Sequence, residues 1–197
     1  HKTLPSLKVS VIKEHFLMNK LVRLNSNMRM RKAIYREFLE KINSAQSEIL
    51  ITNAYFIPPQ RVLTALRKAS QRGVAVKVLV PAVSDILFAH TVSSALYFGL
   101  IRSGAEIYEY QDVLLHAKTV VIDSWATIGT TNLNHRSILH DLEIDIVLST
   151  QQSLKILKEK FYEDLKSAKP FTLADWKKRP LYQRIIGRFL LMFRYWI

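Results

Sequence analysis

Two apolar runs, 47–55 (SEILITNAY) and 74–81 (VAVKVLVP), flank one helix-length stretch, and this pattern narrows the folds open to the chain more than any other feature. The first run ends in FIPP. Pro58 and Pro59 predict a helix start, because proline's missing amide is no loss in a first turn, and Gly73 after Arg72 predicts its end. A strand, a helix and a strand of these lengths make a βαβ unit, whose strands lie parallel through a right-handed crossover. In such sheets ligand-binding groups collect at the carboxyl ends of the strands. Asn53 and Tyr55 stand at such an end, which makes them candidate substrate contacts.

The same reading extends along the chain. A strand is expected within 19–24, then a helix capped by Ser26 or Asn27 whose Ile34, Phe38 and Ile42 form an apolar stripe, with Arg29, Arg31, Lys32 and Arg36 toward water. A helix over 86–103 ends at Gly104 and carries His90 as a structural residue; AEIYEY follows as a strand. HAKTVVID and ATIGTTN read as two strands joined by a short turn, 142–149 as a further strand, and 151–166 as a helix with Leu154, Leu157, Phe161 and Leu165 on one face. Pro170 is expected to end the domain. The fold class expected is α/β, an α/β/α sandwich with a mixed, largely parallel sheet flanked by helices. Residues 19–170 form the domain, 1–18 a leader without an assigned role, and 171–197 a tail.

Lys and Arg outnumber Asp and Glu by 29 to 16, a formal excess of +13. Such a chain seeks an anionic partner, either nucleic acid or an acidic bilayer surface, and charge alone does not choose between them. The absence of cysteine excludes disulfides and thiolate metal sites and fits a cytosol-facing protein. The opening HKTLPSLKVS lacks an initiator Met and a signal-type apolar region, so the chain is expected to be a piece of something longer.

The chemistry concentrates between His116 and Glu143. His116, Lys118 and Asp123 form an H-x-K-x4-D pattern, followed by Gly129-Thr130-Thr131-Asn132. In a strand, side chains two apart share a face, so His116 and Lys118 are expected to project together toward one pocket, with Val120 and Ile122 continuing that row and Asp123 on the other face. A neutral imidazole beside an ammonium suits attack on phosphate: the ring is the nucleophile, and the cation stabilises charge on the oxygens.

These residues resemble the HKD motif of the phospholipase D superfamily, and the wider run NAYFIP…GAEIYEYQDVLLHAKTVVID…TIGTTNLNHRS is similar to the C-terminal half of bacterial cardiolipin synthases. The resemblance covers roughly 20–170. It implies a phosphatidyl transferase in which His116 becomes a phosphohistidine and an opposing HKD histidine protonates the leaving alcohol. It further implies that Glu143 fixes the imidazole tautomer, that Lys118, Thr130 and Asn132 hold phosphate oxygens, and that Asp123 braces the motif. No metal or other cofactor is implied, and no ligand-spaced carboxylate or histidine cluster is evident. Between Asp123 and Gly129 stand five residues where the family commonly has six, which shortens the turn. Asn134 and Asp141 stand where an acid and an amide are commoner.

No other histidine has a lysine two residues later, so the second motif has to come from a missing half of a longer chain or from a homodimer partner. The order of the motifs favours the former. The resemblance points to anionic phospholipids as substrates, phosphatidylglycerol among them, and to a peripheral place on the bacterial inner membrane. The alternative is a homodimeric phosphodiesterase acting on nucleic acid.

In the tail, Arg184, Arg188 and Arg194 fall on one side of a helical projection, and Ile185, Phe189, Phe193 and Trp196 on the other. Its unbroken apolar run, FLLMF, is far shorter than the roughly 20 residues a span needs. Arg184, Arg188, Phe189, Phe193 and Trp196 are therefore expected to contact a membrane surface.

Overall fold

The structure, a computed structural model, describes residues 21–83, 89–112 and 115–181 together with Ile186 and Phe189, except for the side chains of 89–91. The leader expected over 1–18, the side chain of His90, and Arg184, Arg188, Phe193 and Trp196 of the tail lie outside the described residues.

In chain order the elements are β1 (Val22–Leu24), α1 (Met28–Ser44), β2 (Glu48–Asn53), α2 (Gln60–Gln71), β3 (Ala75–Pro81), α3 (Ala89–Ile101), β4 (Glu106–Tyr110), β5 (Lys118–Ile122), β6 (Trp125–Gly129), α4 (His135–Leu139), β7 (Ile144–Leu148), α5 (Gln151–Asp164), β8 (Ala168–Phe171) and α6 (Leu173–Lys178). Local chemistry explains the ends. Asn27 caps α1 by accepting from the Met30 amide, and Gly73 and Gly104 take the left-handed conformation that a stop after α2 and α3 requires.

The strands form one eight-stranded sheet ordered β1-β7-β6-β5-β2-β3-β4-β8. Its βαβ core is as expected, with β2, β3 and β4 parallel neighbours. The expectation of a largely parallel sheet needs correction, however. The pairings β1 with β7, β7 with β6, β6 with β5, β5 with β2, and β4 with β8 are all antiparallel. For β5 and β6 the reason is loop length. Parallel neighbours need a crossover of about a dozen residues, whereas Ile122 pairs directly with Trp125 across a two-residue turn. Asp123, at φ 49, occupies the left-handed position of that turn.

Helices cover both faces. On one, Phe38 and Ile42 of α1, Leu63 and Leu66 of α2, and Tyr97 and Leu100 of α3 join Ile49, Val78 and Val120 of the sheet in the main core. On the other, Leu154 and Phe161 of α5 pack against Leu50, Leu79 and Val121. The alternation along β2 and β5 divides the two cores.

Two further expectations change, one boundary and one side-chain orientation. Pro170 lies inside β8, opposite Tyr108, and Phe171 and Trp176 are buried in the main core, so the packed unit runs past 170. Proline fits there because β8 is an edge strand and needs no second ladder donor. Arg31, expected toward water, turns inward instead: its Nε donates to the Asn25 carbonyl at 2.9 Å and its Nη1 to the Leu139 carbonyl at 3.1 Å. Arg29, Lys32 and Arg36 are exposed.

Candidate active site

The candidate site lies where β2 ends and β5 begins. Antiparallel register sets Asn53 opposite Lys118, joining the end of the βαβ unit to the head of the motif strand. Lys118 is only 9% exposed, and its Nζ donates to the main-chain carbonyl of His116 at 2.7 Å. His116 itself precedes the strand and is exposed. A shared row of side chains was expected for His116, Lys118 and Val120. It begins only at Lys118, because the strand's two-residue period does not reach back to 116. The imidazole meets Tyr55 edge-to-face, with ring centroids 6.1 Å apart and planes at 81°.

Behind Lys118, between α1 and the sheet, is a cavity of about 60 Å³. Its polar lining includes Lys118, Asn53, Glu143, Asp145, Thr131 and Arg31. His116 does not line it. Asn53 is 1% exposed and also structural, since its Oδ1 accepts from the Leu133 amide at 3.0 Å and so pins the loop after β6.

The residues after β6 form a second cluster. Thr130 Oγ1 donates to the Glu143 carboxylate and accepts from the Ile144 amide at 3.0 Å. Glu143 is thus joined to Thr130, and no hydrogen bond links it to His116 in this structure. Asn132 follows, and its buried Oδ1 has no protein partner. Asn134, one of the positions where the motif departs from its commoner form, caps α4 by accepting from the Ser137 amide at 2.7 Å. Asp141 forms an ion pair with Arg136 at 3.0 Å.

Asp123 sits at the far end of β5 from Lys118. Its carboxylate accepts the amides of Gln46, Ser47 and Glu48 at 2.9, 3.0 and 3.1 Å. Burial alone would raise its pKa, but these three donors outweigh that and hold it below its ordinary value. The aspartate stitches the hairpin turn to the start of β2.

Sequence reasoning missed Asn25 and Asp145. Asn25, 5% exposed, accepts from the Glu143 amide, donates its own amide to the Glu143 carbonyl, and donates from its side chain to the Ser137 carbonyl at 3.3 Å. Asp145 had one legible sign, since it stands two residues after Glu143 and so shares its face of a strand.

Comparison with known proteins bears on this arrangement. Residues 38–165 match the family described as "Cardiolipin synthase, PLD-like domain". The chain belongs to that family. It is 36% identical over 160 residues to cardiolipin synthase 1 of Bacillus cereus, covering 81% of this chain and 31% of the relative. It is also 36% identical over 149 residues to a cardiolipin synthase of Clostridium perfringens, covering 75% and 31%. The chain therefore spans about a third of the length of these curated relatives. Among solved structures it superposes on Nuc of Salmonella typhimurium, a phospholipase D family member, with TM-score 0.64 at 18% identity, covering 77% of this chain and 96% of that one. It also superposes on the phosphatidylserine synthase of Haemophilus influenzae with TM-score 0.62 at 16% identity, covering 82% and 43%. These two likenesses show the phospholipase D fold.

Proposed function

We propose that this chain is one catalytic half of a phosphatidyl transferase that makes cardiolipin. A ring nitrogen of His116 attacks the phosphorus of one phospholipid, forming a P–N bond as the P–O bond to the headgroup alcohol breaks. The opposing HKD histidine gives that alcohol its proton. A glycerol hydroxyl of a second phospholipid, phosphatidylglycerol, then returns a proton to the same group and attacks phosphorus, releasing His116.

The observation that carries this reading is Lys118, a buried ammonium anchored on the carbonyl of His116 while that residue's imidazole stays exposed. A fixed cation of this kind needs no reorganisation when charge develops on phosphate oxygens. Asn132 supplies a second donor to the phosphate. Thr130 has one hydroxyl proton, so donating it to phosphate releases Glu143, whose carboxylate then serves the imidazole. Asp123 braces the motif strand, and Asn53 and Tyr55 border the substrate. The relatives' names support cardiolipin as the product.

The second motif is supplied by the remaining length of a protein like these relatives, or else by a homodimer partner. The setting is the bacterial inner membrane, held peripherally. No described helix is long and apolar enough to cross a membrane. Leu181 and Phe189, 65% and 57% exposed, offer apolar surface to the headgroup layer. In the sequence pattern Phe193 and Trp196 fall on the apolar side with Phe189, and Arg184 and Arg188 on the basic side that would meet the anionic headgroups.

The test supplies phosphatidylglycerol vesicles to the full-length protein. Cardiolipin and free glycerol are expected, and both are lost in His116→Ala; no cardiolipin, or equal activity in the variant, contradicts the assignment. The net charge of +13 favours one other reading, a homodimeric nuclease. That reading requires cleavage of DNA by a species of twice the chain mass.

A further inference from the structure

Asp145 has no part in the H-x-K-x4-D pattern, yet both of its carboxylate oxygens are committed to the loop that follows β6. Oδ1 accepts from the Thr131 amide at 3.2 Å, and Oδ2 accepts from the Thr131 hydroxyl at 2.6 Å. Thr131 is the residue between Thr130 and Asn132, the two proposed phosphate donors. The neighbouring strand makes this grip close. Gly129 pairs with Asp145, and a Cβ at Gly129 would stand 2.2 Å from Asp145 Oδ1 and 2.6 Å from its Cα. Asp145 also lines the cavity behind Lys118, beside Glu143. One carboxylate thus ties the phosphate loop to the strand that follows Glu143.

We infer that Asp145 is a positioning residue for phosphoryl transfer: it clamps Thr131 so that Thr130 and Asn132, on either side, present their donors to the phosphate in fixed geometry. This role rests on the phosphatidyl-transfer reading above. Its physical basis is the steep dependence of rate on alignment, where a displacement of about 1 Å costs on the order of 100-fold. Because Asp145 acts through donors that stabilise the transition state, its loss lowers kcat rather than raising KM.

The experiment uses the full-length protein on phosphatidylglycerol vesicles. Asp145→Ala is expected to lower kcat by about 10- to 100-fold with little change in KM. Asp145→Asn keeps an acceptor for the Thr131 amide and a polar group facing its hydroxyl, so it is expected to restore most of the rate. Thr131→Val removes only the hydroxyl half of the clamp and falls between. Wild-type kcat in Asp145→Ala, a loss confined to KM, or an Asn variant as impaired as the Ala variant would overturn the role. Should Asp145→Ala fail to fold, Thr131→Val decides, since reduced kcat there supports the clamp and wild-type kcat overturns it. A wild-type protein that makes no cardiolipin overturns the functional reading and this role with it, whereas an active wild type with an unimpaired Asp145→Ala overturns only the role of Asp145.

Discussion

Asn25 and Glu143 hold each other's backbone in a closed pair: the Glu143 amide donates to Asn25 Oδ1 at 2.6 Å, and the Asn25 amide donates to the Glu143 carbonyl at 3.1 Å. One residue leads out of edge strand β1 and the other leads into β7, so this pair sets where the candidate carboxylate begins its strand. Asn25→Ala leaves the Glu143 amide and the Ser137 carbonyl without their partner. It is expected to destabilise the fold by about 1–3 kcal/mol, read from urea unfolding midpoints, and to lower turnover through Glu143.

Asp123 gives a pH dependence whose sign is fixed by its donors. Its folded pKa is depressed below the ordinary value of 3.8, so its contribution is fully present above that value and is lost as pH falls through the folded pKa. Asp123→Asn keeps one acceptor oxygen but turns an amide toward the Gln46 N–H, and is expected to cost about 1–3 kcal/mol at neutral pH. Unfolding measured from pH 7 downward should show the gap between wild type and variant closing below about pH 4. Turnover per folded molecule should change little, because the aspartate lies at the opposite end of β5 from Lys118.

Gly129 is required by close approach rather than by its own conformation. A Cβ there would lie 2.3 Å from the Ile144 carbonyl, a backbone atom that cannot swing aside. Gly129→Ala is expected to push β6 from β7 and destabilise the protein by about 1–3 kcal/mol. Thermal unfolding checks the loss of stability, and faster hydrogen exchange at the Thr130 amide, which bonds the Ile144 carbonyl, checks where the loss occurs.

Much of this architecture is legible in the sequence because it depends on local rules. The βαβ unit follows from Pro58, Pro59 and Gly73 between two apolar runs, the helix start from Asn27, and the hairpin from the few residues between Ile122 and Trp125. What escapes is set by contacts between distant segments. Asn25 meets Glu143 across 118 positions, and Arg31 meets Leu139 across 108. No periodicity links such pairs, so Arg31 reads as one more solvent-facing cation. The motif residues are conspicuous by type and spacing, but spacing assumes a continuous strand, and His116 lies outside it. Phe171 and Trp176 were hidden by Pro170, which reads as a terminator unless the strand is known to be an edge.

Lys118 is expected to act in the reaction more than in the fold. Lys118→Met keeps most of the buried stem and loses the ammonium, so turnover should fall by about 100- to 1,000-fold, the range for removing one preorganised donor. Steady-state rates beside a thermal melt check this, with the melting temperature moving little. Lys118→Arg is expected to be no rescue, since a planar fork does not fit a site shaped for a single point donor on the His116 carbonyl.

The central claim is a covalent bond between His116 and phosphorus. The most direct measurement mixes the full-length protein with phospholipid carrying 32P in its phosphodiester, quenches within the turnover time, and maps the labelled peptide. Label that is acid-labile, alkali-stable and confined to the peptide containing His116, absent from His116→Ala, is the predicted result. A protein that turns substrate over while no label is trapped on that peptide would contradict the account.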